Sequence, residues 1–221
     1  MKSKLIVALD VADYQDAVAL IHTMRDVVDV FKVGSQLFIR VGPQIVRFLN
    51  DHGKQCFLDL KFHDIPNTVA KAVESAAALQ VHMLTVHAGA GTEMLKAAAG
   101  VPNRPLILGV TVLTSVGGKV GKKAGRLAKL TKECGLEGVV ASPHEARLIR
   151  DTVGEDFLIV TPGIRPSWAE AGDQRRVMTP AEAVAAGADY IVVGRPIIAA
   201  QNPAQAALRV IDEMTSSVKS A

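Results

Sequence analysis

Eight short apolar runs rich in Val, Ile and Leu recur along the chain, and each is followed by apolar residues at helical spacing. Short β-branched runs are typical of buried strands, whereas apolar positions three and four residues apart indicate one face of a helix. The predicted strands are 5–9, 28–33, 55–60, 83–87, 106–111, 138–141, 158–161 and 190–193. The predicted helices are 13–24, 43–51, 68–79, 92–99, 124–134, 143–150, 180–186 and 203–215.

This alternation of strand and helix predicts an α/β fold with a parallel sheet, because parallel strands need a crossover that returns the chain to the same end. Eight such units in 221 residues predict a closed (β/α)8 TIM barrel near the small end of its size range. An open doubly wound sheet is the alternative, but no GxGxxG sequence follows the first strand. No linker interrupts the pattern, so we expect one domain over residues 1–221.

Composition and charge narrow the classes of partner. The chain is 49% hydrophobic but only 4% aromatic, and its 25 basic and 22 acidic residues give a net charge of +3. That charge is too balanced to indicate nucleic acid as the main partner. The two cysteines match no metal spacing, and we find neither a signal peptide nor an apolar run long enough to span a bilayer. We therefore expect a cytoplasmic protein with free buried thiols and no membrane or nucleic-acid partner.

Polar residues collect where the predicted strands end. In a (β/α)8 barrel these ends form the C-terminal face, which carries the active site. Taken singly, Asp10 has an ordinary explanation as a turn residue, and His87 as a structural hydrogen-bonding residue. The polar or glycine positions at strand ends are Asp10, Lys32, Asp59, Lys61, His87, Thr114, Ser115, Arg165, Gly194 and Arg195.

The segment 57–68 places three charges within six residues, on an apolar strand and just beyond it. Strand alternation puts Asp59 and Lys61 on one face, and Asp64 follows the strand end. We expect Lys32, on the neighbouring strand, to lie beside Asp59. The four charges then alternate in sign and sum to zero, which permits partial burial. Such an array could serve only to fix the fold, but apolar residues often do so equally well, which favours a functional role.

The sequence DLKFHDIPNT at 59–68 resembles the signature of the orotidine 5′-phosphate decarboxylase family, in its bacterial form. The D-x-K-x-x-D core is shared by a wider superfamily, whereas the HDIPNT continuation is narrower. After LTS at 113–115 the chain has a shorter segment before its next helix than the family usually carries. The further matches span the chain: ALD at 8–10, FKVG at 31–34, TVHA at 85–88, LTS at 113–115, TPGIR at 161–165, DQRR at 173–176 and VGRPI at 193–197.

This resemblance implies decarboxylation of orotidine 5′-phosphate to uridine 5′-phosphate and carbon dioxide, the last step of de novo pyrimidine biosynthesis, without metal or cofactor. It implies that Lys61 stabilises the developing carbanion at pyrimidine C6 and donates the proton that replaces the carboxylate. Asp59 would lie near the substrate carboxylate. Lys32 and Asp64 would hold the array in register, and Lys32 would also contact the ribose.

The resemblance also implies the nucleotide-binding residues. Asp10 would bind ribose hydroxyls, and Thr114 and Ser115 would meet the ribose or the pyrimidine edge. The phosphate would be held by Arg165, Gln174, Gly194 and Arg195. Barrels often bind phosphate in the loops after strands seven and eight, which supports this last group independently. There Gly194 would let backbone N–H groups approach, and Arg195 would add a planar donor.

Two implications concern assembly and motion. The resemblance implies a homodimer in which Asp64, Ile65 and Thr68 reach into the partner's site. The polar segment 164–178, with Pro166 near its start and Pro180 just beyond its end, is the predicted closing loop.

Two other functions stay open from the sequence. A related enzyme acting on a sugar phosphate would share the barrel and the D-x-K-x-x-D core but would need a divalent metal. Asp10, Asp59 and Asp64 could supply its oxygen ligands. A catalytically silent nucleotide-binding barrel is the other alternative, although such a protein gains little from a partly buried lysine proton donor.

Overall fold

The computed structural model describes residues 4–113, 120–169 and 178–216. Within these ranges the strands are β1 Lys4–Ala8, β2 Val30–Gly34, β3 Gln55–Phe62, β4 Met83–His87, β5 Leu106–Val110, β6 Gly138–Val140, β7 Leu158–Thr161 and β8 Tyr190–Val193. The helices are α1 Tyr14–Met24, α2 Ser35–Val41, α3 Gln44–Asp51, α4 Pro66–Ala78, α5 Thr92–Ala99, α6 Gly121–Glu133, α7 Pro143–Val153, α8 Pro180–Ala185, α9 Arg195–Ile198 and α10 Pro203–Ser216. A 3-10 turn, Ala88–Ala90, follows β4.

The strands pair in parallel in chain order, and the sheet closes where β1 pairs with β8. At this seam Lys4 lies opposite Tyr190. Closure confirms the predicted (β/α)8 barrel and excludes the open sheet, and all eight predicted strands are present. Helices α2 and α9 were not predicted from the sequence. With seven and four residues, they are too short for a helical apolar period to be visible.

The barrel interior is a packed apolar core. Side chains at alternate positions of the strands point inward and bury one another, as in other filled barrels. The outward positions pack instead against the surrounding helices. The inward residues are Ile6, Ala8, Val30, Phe57, Met83, Leu108, Val160 and Val192, none more than 7% exposed.

A polar layer lies directly above this apolar one. Because inward positions alternate, the next inward residue is two positions further toward the C-terminal face. This step leads from Val30 to Lys32 and from Phe57 to Asp59. It also leads from Met83 to Thr85. Lys32, Asp59 and Thr85 therefore stand on an apolar base.

Strands β3 and β4 do not pair evenly. Leu58 lies opposite Leu84, and Phe62 lies opposite Val86, so the three β3 residues between them face the single residue Thr85. Such a bulge bends a strand and redirects its side chains. Within it Lys61 has φ of 54°, in the left-handed region that non-glycine residues seldom adopt. The regular alternation assumed from the sequence therefore stops before Lys61.

The two cysteines, Cys56 and Cys134, are free and buried, as expected from the sequence. Burial raises the pKa of the Cys56 thiol to about 12. At neutral pH this thiol is therefore protonated and belongs to the core. Among the described helices, none has the length and apolar character needed to cross a membrane.

A buried arginine ties together the N-terminal end of the barrel, away from the polar layer. The Arg150 side chain is 8% exposed, and its Nη2 lies 2.6 Å from Asp189 Oδ2. The same guanidinium donates to the carbonyls of Gly154, Phe157 and Gly187. Asp189 Oδ2 also accepts the backbone N–H of Ile159. This network fixes the start of β8 against β7.

We expect Asp189→Ala to lower the free energy of unfolding by about 3 kcal/mol, because it leaves the buried Arg150 charge with only the exposed Glu155 carboxylate, 3.9 Å away. Urea unfolding measures this change. Asp26→Ala is the matched control, since Asp26 is 88% exposed beside Arg25 and its loss should cost about 0.5 kcal/mol or less. Similar losses in the two variants would contradict the assignment.

Candidate active site

A cavity of about 270 Å³ opens at the C-terminal ends of the strands. Its volume is close to the lower limit of about 300 Å³ for small-molecule sites. Apolar side chains from the strand ends and following loops complete its wall. The predicted site residues that line it are Asp10, Lys32, Asp59, Lys61, Arg165, Gly194 and Arg195.

Lys32 pairs with Asp10. Lys32 Nζ lies 2.8 Å from Asp10 Oδ1, and the Lys32 side chain is only 13% exposed. The sequence led us to expect Lys32 beside Asp59, and that expectation was wrong about its ion-pair partner. In the β2–β3 register Lys32 lies opposite Phe57, while Asp59 lies one step higher, opposite Gly34. The charged array therefore begins with Asp10.

Asp59 and Lys61 form the second pair, as predicted. Lys61 Nζ lies 2.8 Å from Asp59 Oδ2, and the side chains are 36% and 13% exposed for Lys61 and Asp59. The other carboxylate oxygen, Oδ1, accepts the Thr85 hydroxyl at 3.0 Å. The partly buried carboxylate thus has a donor on each oxygen, which offsets the loss of water around it.

Sequence analysis missed Thr85. It is fully buried on β4, and its hydroxyl accepts the backbone N–H of Lys61 at 2.9 Å. The signal was present in the sequence, because Thr85 is a polar residue two positions after the inward Met83. Only the β3–β4 bulge, however, brings its side chain to the lysine backbone.

His87 ends β4 beside the second pair. Its pKa is lowered chiefly by burial and next by the nearby His63 and Lys61, with partial opposition from Asp59. The His63 and His87 ring centres are 5.3 Å apart. A lowered pKa keeps His87 neutral at neutral pH, so it adds no positive charge near the Lys61 ammonium.

Asp64, Ile65 and Thr68 do not line the main cavity. All three are exposed, and Asp64 Oδ1 accepts the backbone N–H of Ile65 at 2.7 Å. Asp64 and Ile65 instead line a separate surface depression near the start of α5. A four-charge array that includes Asp64 is therefore not assembled within one chain.

Two arginines occupy the side of the cavity formed after β7 and β8. Arg165 is 9% exposed, and its backbone N–H donates to the Met178 carbonyl at 2.9 Å. Arg195 is exposed and begins helix α9 directly after Gly194. Three predicted binding residues, Thr114, Ser115 and Gln174, lie outside the described residues, as do positions 170–177 of the predicted closing loop.

Two glycines make room for the Asp10–Lys32 pair. A Cβ atom on Gly34 would lie 3.1 Å from Lys32 Nζ, and one on Gly194 would lie 3.3 Å from Asp10 Oδ2. Both distances are shorter than ordinary van der Waals contact. Because neither glycine has a side chain, the Asp10–Lys32 ion pair fits between them without a steric clash.

Paired lysines and aspartates with two arginines, all at the C-terminal mouth of a (β/α)8 barrel, are typical of enzymes that act on phosphorylated substrates. Comparison with known proteins narrows this class. The family model described as orotidine 5′-phosphate decarboxylase / HUMPS family matches residues 3–210. The chain belongs to this family.

Three similar proteins carry the name of one enzyme. Orotidine 5′-phosphate decarboxylase from Syntrophotalea carbinolica is 50% identical over 237 residues, which cover 99% of this chain and 97% of the relative. The protein of that name from a Geobacter species is 47% identical, with 96% of each chain covered. The crystal structure of orotidine 5′-phosphate decarboxylase from Lactobacillus acidophilus matches with a TM-score of 0.83 at 35% identity, covering 96% of this chain and 99% of that one.

The length of one alignment agrees with a shortened segment after Ser115. The 237 positions aligned with the Syntrophotalea protein exceed the 221 residues of this chain, so that relative has residues without a counterpart here. A shortened segment after Ser115 would produce such a difference. In the structure β5 ends at Val110 and α6 already begins at Gly121.

We expect Gly34→Ala to lower turnover about tenfold with little effect on stability, because the new methyl group displaces the Lys32 ammonium, the flexible end of its side chain. Steady-state kinetics and a thermal melt measure the two quantities. Gly125→Ala in α6 is the control, since a Cβ there meets only Thr152 Oγ1 at an ordinary 3.6 Å. Unchanged turnover in Gly34→Ala would show that the position of Lys32 is not limiting.

Proposed function

We propose that this protein decarboxylates orotidine 5′-phosphate to uridine 5′-phosphate and carbon dioxide, the last step of de novo pyrimidine biosynthesis. The observation that carries the proposal is the Lys61–Asp59 pair at 2.8 Å, in a cavity also lined by Arg165 and Arg195. The family model and the names of the relatives support the same activity.

Lys61 and Asp59 are the proposed centre of the chemistry. The bond between pyrimidine C6 and the carboxylate breaks, carbon dioxide leaves, and the electron pair stays on C6. The Lys61 ammonium stabilises this negative charge and then transfers a proton to C6, so no cofactor is required to accept electrons. Asp59, a second anion close to the substrate carboxylate, favours departure of that group as neutral carbon dioxide.

Asp10 and Lys32 are proposed to hold the ribose and the charged array. Asp10 Oδ1 accepts a hydrogen bond from the Lys32 ammonium. The Asp10 carboxylate is half-exposed and can still accept hydrogen bonds from ribose hydroxyls. Lys32 in turn has donors to share between Asp10 and the substrate. Thr114 and Ser115 are proposed, from the sequence, to complete binding of the ribose and pyrimidine.

The phosphate is proposed to bind between Arg165, Gly194 and Arg195, with Gln174 added from the sequence. A guanidinium binds phosphate oxygens with two parallel hydrogen bonds. Gly194 has no side chain to keep a phosphate away from the backbone N–H groups at the start of α9. Binding energy from this non-reacting group can be used to order the charged array and to close segment 164–178 over the substrate.

A homodimer is proposed to complete the site. Asp64, Ile65 and Thr68 do not line their own cavity, and Ile65 is 66% exposed although it is apolar. Burial of this surface against a second copy would cover Ile65 and would bring Asp64 to the neighbouring subunit's Lys61. The alternation of charges expected from the sequence would then be restored across the interface.

The buried free cysteines suit the reducing cytoplasm, where we propose the enzyme works.

The sugar-phosphate alternative requires a divalent metal held by Asp10, Asp59 and Asp64. Asp10 and Asp59 each have one carboxylate oxygen 2.8 Å from a lysine ammonium, and Asp64 lies outside their cavity. Within the described ranges, no three His, Cys, Asp or Glu side chains form a group suited to a metal ion. This donor arrangement favours the pyrimidine reaction over a metal-dependent one.

We expect Lys61→Ala to reduce turnover of orotidine 5′-phosphate about 1,000-fold or more, because proton donation and charge stabilisation are lost together. The ultraviolet change of the pyrimidine, followed with a chelator present, measures the rate. Lys71→Ala, which removes an exposed lysine paired with Glu74, should keep normal turnover. Near-normal rates in Lys61→Ala would exclude its role, and loss of wild-type activity with the chelator would support the metal-dependent alternative.

We expect a mixture of inactive Lys61→Ala and Asp64→Ala subunits to regain about a quarter of wild-type activity, since half of randomly formed dimers would be mixed and each would hold one complete site. The subunits are exchanged before assay, and each variant alone is the control. If mixed dimers form but activity stays at the level of the separate variants, Asp64 does not act across the interface.

A further inference from the structure

We propose that Thr85 is a positioning residue whose single hydroxyl holds Asp59 and Lys61 in their catalytic arrangement. The inference rests on the proposed decarboxylation, because it assigns the second pair to the chemistry. Thr85 is not among the residues that line the cavity; it acts through the two residues to which it is hydrogen-bonded.

The first step concerns the backbone of Lys61. The β3–β4 bulge sets Asp59, Leu60 and Lys61 opposite Thr85 alone. Lys61 therefore donates its N–H to a side chain, Thr85 Oγ1 at 2.9 Å, where a regular ladder would supply a backbone carbonyl. The same lysine has a φ of 54°. A non-glycine residue keeps this left-handed conformation only where surrounding contacts hold it in place. The hydrogen bond to the Thr85 hydroxyl is one such contact.

The second step concerns the proton of the hydroxyl. A backbone N–H can only donate, so Thr85 Oγ1 is the acceptor toward Lys61. An ionised carboxylate can only accept, so the hydroxyl hydrogen points to Asp59 Oδ1, 3.0 Å away. Oδ2 then faces the Lys61 ammonium at 2.8 Å. One hydroxyl thus fixes both the orientation of the carboxylate and the backbone that carries the ammonium.

The third step concerns water. Thr85 is 0% exposed and stands two positions above Met83, which is also 0% exposed and belongs to the interior apolar layer. Water cannot replace the hydroxyl there without a cavity to hold it. Loss of the hydroxyl would leave the Lys61 N–H and one Asp59 oxygen to find new partners, and the pair would shift.

The test compares two substitutions at Thr85, each of which changes one group of the side chain. Thr85→Val keeps the shape of the side chain but removes its hydroxyl, whereas Thr85→Ser keeps the hydroxyl and removes a methyl group. Thr131→Val is the matched control, since Thr131 is also 0% exposed and its hydroxyl donates only within α6, to the Leu127 carbonyl at 2.7 Å. For each protein we would measure kcat, KM, affinity for uridine 5′-phosphate and melting temperature.

We expect Thr85→Val to lower kcat about 10- to 100-fold, the range for a lost hydrogen bond to a charged group. KM and uridine 5′-phosphate affinity should change less than about threefold, because the phosphate is held by other residues. Thr85→Ser should restore kcat to within about threefold of the wild type. Thr131→Val should keep kcat whatever its melting temperature.

Three results would overturn the proposal: an unchanged kcat in Thr85→Val, equal impairment of Thr85→Val and Thr85→Ser, or a kcat loss in Thr131→Val as large as that in Thr85→Val. A failure of the proposed reaction is distinguishable, because the wild-type protein would then not turn over orotidine 5′-phosphate.

Discussion

A charge taken out of water must find an opposite charge or a strong hydrogen bond, and the mouth of this barrel is organised by that requirement. The apolar layer formed by Phe57, Met83 and their neighbours closes the barrel from below and removes water from one side of the polar layer. Lys32 and Asp59 stand on this layer with 13% of each side chain exposed. Each is paired at 2.8 Å, with Asp10 and with Lys61 respectively.

The two pairs are built in different ways. Lys32 lies in the regular strand β2 and Asp10 lies just after β1. Both depend on Gly34 and Gly194, whose missing side chains leave space for them. Asp59 and Lys61 come from one strand and depend on a break in its regularity, since the bulge gives the lysine its left-handed backbone. The barrel thus uses close packing for one pair and a local departure from the sheet for the other.

The sequence was sufficient for the features that depend on local periodicity. The eight strands were predicted, because each leaves a short apolar run in the sequence. Asp59 was also predicted to meet Lys61, although the bulge, and not regular alternation, sets the backbone of Lys61. The partner of Lys32 was not predicted, because it depends on the stagger between β2 and β3, which no single segment records. Thr85 was missed for a related reason: a bulge arises from the pairing of two strands. Helices α2 and α9 were too short to leave a visible period.

Two carboxylates at the opposite end of the barrel follow one repeated plan. Asp189, just before β8, bonds Arg150 and the backbone N–H of Ile159 in β7. Glu137, just before β6, bonds Arg104 and the backbone N–H of Ile107 in β5 in the same manner. These carboxylate–arginine contacts are the joints between neighbouring strands, and they lie at the N-terminal end of the barrel. The reacting groups lie at its C-terminal end. Adaptation to a hotter or colder habitat can proceed by changes at the joints, while the chemistry at the other end is inherited unaltered.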